Sequence, residues 1–184
     1  MATPKPLPDL DLLRSILDYD PDTGVITWLP RPQNTWFNEN LAGKPVGLRK
    51  NGAHYLMTIS GVDYALGRIA FKLAYGRDPA PGCLIDHING SPIDNRKENL
   101  REVTPRQNAW NSVSKNSATG GLKGVCTEVR NPKTGNIKYR ARIRVGGKKV
   151  SLGVFDTEEE AHAAYTGASI ILQGEYALAA RNGD

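Results

Sequence analysis

The chain has 184 residues, 39% of them hydrophobic, and a formal net charge of +5, which suits one medium domain or two small ones with real apolar cores. No run approaches the roughly 18 consecutive apolar residues of a membrane span, and Met1-Ala2-Thr3-Pro4-Lys5-Pro6 lacks the apolar stretch of a secretory signal, so the expectation is an intracellular, cytoplasmic protein with no membrane partner. Cys83 and Cys126 are far apart and form no Cys-x-x-Cys motif, which argues against a disulfide framework or a thiolate zinc site.

Leu10, Leu13, Ile16 and Leu17 share one face of an opening helix, and Asp20-Pro21-Asp22-Thr23-Gly24 supplies turn chemistry before the β-favouring Val25-Ile26-Thr27-Trp28. From Pro30 to Gly52, proline, asparagine and glycine mark loops. Tyr55 to Ile59 reads as a strand ending at the Ser60-Gly61 turn, and Ala65 to Tyr75 as a helix stopped by Pro79, Pro81 and Gly82. Cys83 to Ile88 and Leu100 to Val103 are short strands able to pair across a loop rich in Asn and Asp. Thr104-Pro105 then starts a helix, with an N-cap hydroxyl and proline at the first helical position, that runs to about Ser112.

Ser112 to Gly121 is rich in Ser, Asn and Gly and reads as a flexible linker, so the expected domains are residues 1–112, a linker at 113–121, and residues 122–184. Val125 to Arg130, Lys138 to Val145 and Lys148 to Phe155 follow as three strands, the last two joined by Gly146-Gly147, a two-residue turn suited to positive φ. Thr157-Glu158-Glu159-Glu160 is a capping box; Ala161, Ala164, Tyr165, Ala168 and Leu172 form the apolar stripe of the helix it opens, and Gly174 closes it.

Charge is unevenly placed along this order. Residues 1–112 hold 13 basic and 12 acidic side chains, Lys123 to Lys149 holds nine basic ones against Glu128, and Asp156 to the end holds six acidic residues and one Arg. The C-terminal third is two-sided, and its positive side is the expected seat of a polyanion.

The chemistry concentrates in Ile85-Asp86-His87-Ile88-Asn89-Gly90, Asp94-Asn95-Arg96, Asn99-Leu100-Arg101 and Gln107-Asn108. Asn99 lies 12 positions after His87 and Asn108 lies 21 after it, on the opening turn of a helix whose side chains lean back toward its N-terminus and toward the strand that carries Asp86. An Asp carboxylate and an Asn carbonyl are hard oxygen donors that suit magnesium, manganese or calcium better than zinc. Beside them, an imidazole can take a proton from water, the combination that phosphodiester hydrolysis asks for. Asn99 can hold the imidazole tautomer, directly or through the loop backbone.

Those four motifs resemble the HNH endonuclease signature, most closely the phage and intron-encoded homing endonucleases in which the third motif position is Asn. The resemblance covers most of residues 10–112, including the segment from Tyr19 to Trp28. It implies an α+β chain with a ββα-metal (His-Me finger) nuclease domain, His87 as general base, one divalent ion per site, most simply magnesium, held by Asp86 and Asn108, Asn99 constraining the loop, and Arg96 near the scissile phosphate or bracing the loop. Many relatives carry a His-Arg pair in the helix before the motif; here that place reads Leu66-Gly67-Arg68.

In Tyr139-Arg140-Ala141-Arg142-Ile143-Arg144-Val145 the period is two, so Arg140, Arg142 and Arg144 share one face while Tyr139, Ala141, Ile143 and Val145 share the face expected against the helix. Arg130, Lys148 and Lys149 extend the basic face in this reading, and arginine forks match phosphate oxygens and guanine edges in a major groove. Residues from about Gly121 to Ala177 also resemble the apetala-two or ethylene-responsive-factor (ERF) domain, through Gly124-Val125, Tyr139 to Ile143, Leu152 to Thr157, Glu160-Ala161, Ala164-Tyr165, Ala168 and Gly174 to Ala177. It implies a three-stranded antiparallel sheet packed on one helix that reads double-stranded DNA with the strand face opposite that helix. A single site per chain implies nicking, and a double-strand break would call for a homodimer or a second event. The competing reading is a DNA-binding regulator that keeps the HNH fold without its chemistry.

Overall fold

The computed structural model describes residues 5–52, 54–111, 121–129 and 137–177, and the chain divides into two compact units, Met1–Pro105 and Arg106–Asp184. The first unit runs α1 (Leu10–Ile16), β1 (Leu17–Tyr19), β2 (Ile26–Trp28), α2 (Thr35–Asn40), β3 (Arg49–Asn51), β4 (His54–Ile59), β5 (Val62–Ala65), α3 (Leu66–Tyr75), β6 (Leu84–His87) and β7 (Leu100–Val103). Its strands form three antiparallel sheets: β1–β2, β3–β4–β5 and β6–β7. The core gathers round α3, whose Leu66, Ile69, Ala70 and Phe71 are buried with Leu13, Leu17, Ile26, Met57, Ile59 and Leu100. Each large side chain so buried contributes about 1.5–3 kcal/mol relative to exposure.

Three stretches of this unit depart from the sequence reading. Leu17 leaves the opening helix at Ile16 and starts β1, opposite Trp28, because the Asp20–Gly24 turn closes a hairpin. In that turn Asp20 Oδ1 accepts from Asp22 N at 2.9 Å and Oδ2 from Thr23 Oγ1 at 2.7 Å, while Gly24, at φ +73°, donates its N–H to Asp20 O at 2.8 Å. The Pro30 to Gly52 stretch holds α2 and β3 as well as loops. α2 has only six residues and one buried side chain, Phe37, too few for a period to show, and it is nucleated by Asn34, whose Oδ1 accepts from Phe37 N at 3.0 Å. The Ser60-Gly61 turn leads directly into β5, a four-residue strand paired with β4. β6, β7 and the following helix α4 (Pro105–Asn111) lie where the sequence places them.

The second unit contains β8 (Val125–Val129), β9 (Ile137–Val145), β10 (Lys148–Phe155) and α5 (Glu158–Gln173), with sheet order β10–β9–β8, all antiparallel. Gly146 and Gly147 both take positive φ in the β9–β10 turn, and Thr157 and Glu160 form the reciprocal capping box. Val125, Ala141 and Ala161 make the small core, with Tyr139, Leu152, Phe155 and Ala164 packed on it. Two expected core members are exposed instead, Val145 at 41% and Leu172 at 49%. Val145 is the last residue of β9, beside the Gly146-Gly147 turn. On α5 the buried row is Ala161, Tyr165, Ser169 and Gln173, an i+4 ridge, so the helix meets the sheet along a steeper line than the Ala161–Leu172 stripe supposes. Most of the expected linker and Arg130 lie outside the described residues. Among the described residues no helix is long and apolar enough to cross a membrane.

Candidate active site

β6 and β7 pair with Asp86 opposite Arg101 and His87 opposite Leu100, and the loop between them, residues 88–99, is closed by Ile88 N donating to Asn99 O at 2.9 Å. Asn99 is buried and acts as the loop's staple. Its Oδ1 accepts from Asn89 N at 2.9 Å, and its Nδ2 donates to Asp94 O at 2.7 Å and to Asn89 Oδ1 at 3.1 Å. Of the two modes expected for Asn99, these bonds are those of the backbone mode; the imidazole itself is met by another residue.

That residue is Asn95, which is 1% exposed and whose Oδ1 lies 3.0 Å from His87 Nε2. The sequence reading carries Asn95 inside a motif but gives it no role, since nothing in an eight-residue loop separation fixes which side chain turns toward the ring. α3 closes in from another side. A Cβ on Gly67 would stand 3.1 Å from His87 Cε1, so the glycine standing in place of the relatives' histidine is where the ring comes against the helix. The neighbouring Arg68 is turned away and donates from Nη1 to Lys5 O at 2.9 Å.

Arg96 is engaged by carboxylates: Nε to Asp94 Oδ1 at 2.9 Å, Nη2 to Asp94 Oδ2 at 2.8 Å and Nη1 to Glu98 Oε1 at 2.7 Å. This is the geometry of a loop brace. The Arg96 guanidinium, helped by the Asn89 amide, holds the Asp94 carboxyl down at about 2, against a smaller opposing effect of burial.

Asp86 is buried and meets Arg101, Nε and Nη2 each 3.0 Å from Oδ2. Successive side chains of a strand leave on opposite faces, so Asp86 and Arg101 occupy one face of the hairpin while His87, with Ile85, faces α3. Arg101 is a residue the sequence reading missed, though pairing the two strands in register would have placed it across from the acid. A cation seeking hard oxygens finds one carboxylate here, partly committed to a guanidinium; the second expected donor, Asn108, is on α4 in the stretch that begins the second unit. Among the described residues no group of three or more His, Cys, Asp and Glu side chains is arranged to hold a metal ion. A carboxylate and an amide oxygen are both hard donors of the kind that a divalent cation such as magnesium or calcium takes.

In the second unit the register sets the faces of the basic sheet. Arg144 stands across from Lys149, Arg142 from Ser151, and Arg140 from Cys126 on one side and Val154 on the other, so these residues share the face opposite α5. Lys148 pairs with Val145 and belongs to the other face, a correction to its expected place that follows from the two-residue turn. A cavity of about 400 Å³ is lined by Arg142, Arg144, Lys149, Lys123, Cys126 and Trp110, among others. Lys123 also donates from Nζ to Trp110 O at 2.7 Å, at the C-terminal end of α4, where a cation suits the helix dipole.

Comparison with known proteins meets this geometry. Residues 64–110, from the end of β5 through α3, the β6–β7 hairpin and α4, match the family model described as HNH endonuclease. The chain is also 46% identical over 48 residues to "Protein 3.8" of Escherichia phage T7, a stretch that is 26% of this chain and 40% of that protein. The chain thus spans less than half the length of that relative. No solved structure matches it. The matched model stops at Trp110, before the first strand of the basic sheet.

Proposed function

We propose that the protein is a metal-dependent DNA endonuclease of the HNH type, with His87 as general base, working on duplex DNA that the C-terminal sheet holds. The observation that carries this reading is His87 at the tip of a hairpin whose loop is stapled by Asn99, inside the segment that matches the HNH endonuclease model. In this mechanism His87 takes the proton of the attacking water, and Asn99 keeps the 88–99 loop in the shape that presents the imidazole. Asp86 and Asn108 would hold the divalent cation, magnesium first, with manganese or calcium as alternatives, and when bound it would supply charge stabilisation to the leaving 3′ oxygen. Arg96 keeps the loop braced through Asp94 rather than binding phosphate directly.

Arg140, Arg142, Arg144 and Lys149 provide the DNA-binding face, with Arg130 adding charge, in the manner that the ERF likeness implies, while Lys148 takes no part in it. Residues 122–184 then act as a reader that raises the local concentration of substrate at a nuclease domain of modest affinity, across the linker near residues 113–121. One site per chain nicks one strand, and a long recognition site of the homing type is consistent with a separate reader. The test is nicking of supercoiled plasmid with magnesium: the protein should nick, and His87→Ala should lose nicking while it still retards DNA in a gel.

A second reading is favoured by one observation, the Asp86–Arg101 ion pair, which occupies the carboxylate that a metal would need. In that reading the chain is a DNA-binding regulator. Absence of nicking with magnesium, manganese or calcium, with DNA binding intact, would decide for it.

A further inference from the structure

We infer that a notch in the open edge of the C-terminal sheet binds one unpaired nucleotide, its base at Trp110 and Gln173 and its phosphate on Arg142, Arg144 and Lys149. This deepens the DNA-holding role proposed above for the sheet; what rests on that role is the source of the nucleotide, a DNA strand, and not the notch.

The notch follows from strand lengths. β8 begins at Val125, opposite Ala141, and Arg142 N donates to Gly124 O at 2.8 Å just before it. β9 runs on to Val145, where its ladder partner is β10. Past the start of β8, side chains from both faces of the sheet border one space, the cavity of about 400 Å³, which lies within the roughly 300–1,000 Å³ of ligand sites. Arg142, Arg144 and Lys149 line it from the face opposite α5, Tyr165 and Gln173 from α5, and Trp110 from the end of α4. All six belong to the second unit.

The walls are fixed by bonds made elsewhere. Leu122 N donates to Glu158 Oε1 at 2.6 Å, His162 Nδ1 donates to Lys123 O at 2.9 Å, and Lys123 Nζ donates to Trp110 O at 2.7 Å. The Tyr165 ring lies so close on the Gly124 backbone, at φ +83°, that a Cβ there would overlap it. A site built this way is largely formed before its ligand arrives.

Three features ask for different parts of one ligand. Gln173 is 8% exposed, and its Oε1 is buried with no hydrogen-bond partner, a costly state that an N–H donor would end. Trp110 offers a flat platform; the Arg106 guanidinium carbon lies 5.4 Å from its ring centroid, so stacking falls to the opposite face. Among the described residues no carboxylate pairs with Arg142, Arg144 or Lys149, and guanidinium forks match phosphate oxygens. Inorganic phosphate would answer the cations alone, and a base inside a duplex has its faces stacked and its edge paired. An unpaired nucleotide answers all three.

The test is calorimetry on the full chain with a chelator present, so that no DNA is cut. dAMP should bind about tenfold or more tightly than either deoxyadenosine or inorganic phosphate. A duplex carrying one unpaired adenine should bind about tenfold more tightly than the same duplex fully paired, or than one with that base missing. Gln173→Leu, which removes the unpartnered oxygen at similar volume and should fold at least as well, should erase about tenfold of both preferences, and Trp110→Ala should do the same. Binding of dAMP with no gain at the unpaired adenine supports the notch and assigns it to a free nucleotide; a gain at the unpaired adenine without dAMP binding supports it and assigns it to a DNA strand. No preference for dAMP over inorganic phosphate together with none for the unpaired adenine, or preferences that both variants leave intact, overturns the inference. Duplex affinity indifferent to the unpaired base, in a chain that does not take dAMP, would refute only this inference; a dAMP site in a chain that does not retain duplex DNA would refute only the DNA-holding reading.

Discussion

The β6–β7 hairpin and the β9–β10 hairpin are both short antiparallel pairs bearing arginine, and they treat charge in opposite ways. Across β6–β7 the acid Asp86 faces Arg101, and the Arg96 and Arg77 guanidiniums meet Asp94 and Glu102. Across β9–β10 Arg144 faces Lys149, and the neighbours of Arg142 and Arg140 across the ladder are Ser151, Val154 and Cys126. Opposite charges paired across a ladder stabilise it, and like charges directly opposite cost it stability. The first hairpin spends its cations on internal geometry, which is what a positioned reaction centre needs. The second sets like charges facing each other where an external polyanion would relieve them.

The comparison breaks most visibly at Arg101. Arg101→Met takes the guanidinium away from the buried Asp86 carboxylate and should lower stability by about 3 kcal/mol, measured by denaturant melts. If the same variant, assayed below its melting temperature, nicks at lower magnesium than the parent, the pair competes with the metal for Asp86; if it nicks no better, the pair and the cation use different oxygens. Next in size, Arg142→Ala and Arg144→Ala should each weaken duplex binding by about 1–2 kcal/mol and reduce the slope of log affinity against log salt by about one, leaving thermal stability unchanged. Loss of affinity without a change of slope would mean that these arginines are not phosphate contacts.

Lys149→Ser sharpens the contrast, because it should move stability and binding in opposite directions. Removing the cation opposite Arg144 should stabilise the free protein by about 0.2–1 kcal/mol while weakening its hold on DNA. A destabilised variant would show that the pair is not repulsive. The smallest effect is the acid response of the 88–99 loop. The Asp94 carboxyl is held from an ordinary 3.8 down to about 2, so its bonds to Arg96 contribute in full above about pH 4 and are lost as pH falls toward 2. Amide exchange in residues 89–96 should quicken over that interval, and Asp94→Asn should flatten the response.

Much of this molecule could be read from local rules. The Gly146-Gly147 turn, the Thr157–Glu160 capping box and the arginine alternation of β9 depend on residues one to three apart, and each takes the expected form. The face of Lys148 was also within reach, because a two-residue turn fixes the parity of the strand that follows it. α2, β5 and the strand start at Leu17 were not, since each is too short for a period and depends on a partner outside its own segment.

By itself the sequence determined the chemical inventory and its order: an acid and an imidazole side by side, amides at set distances, and a basic strand of period two. Only the tertiary structure decided that Asn95 rather than Asn99 meets His87, that Arg101 takes hold of Asp86, and that α5 buries an i+4 ridge. The physical reason is one of range. Spacing along the chain governs which face of its own element a residue occupies, while a hydrogen bond between a loop amide and a ring also needs a glycine in α3 and a tyrosine in β1 to leave and fill the right space.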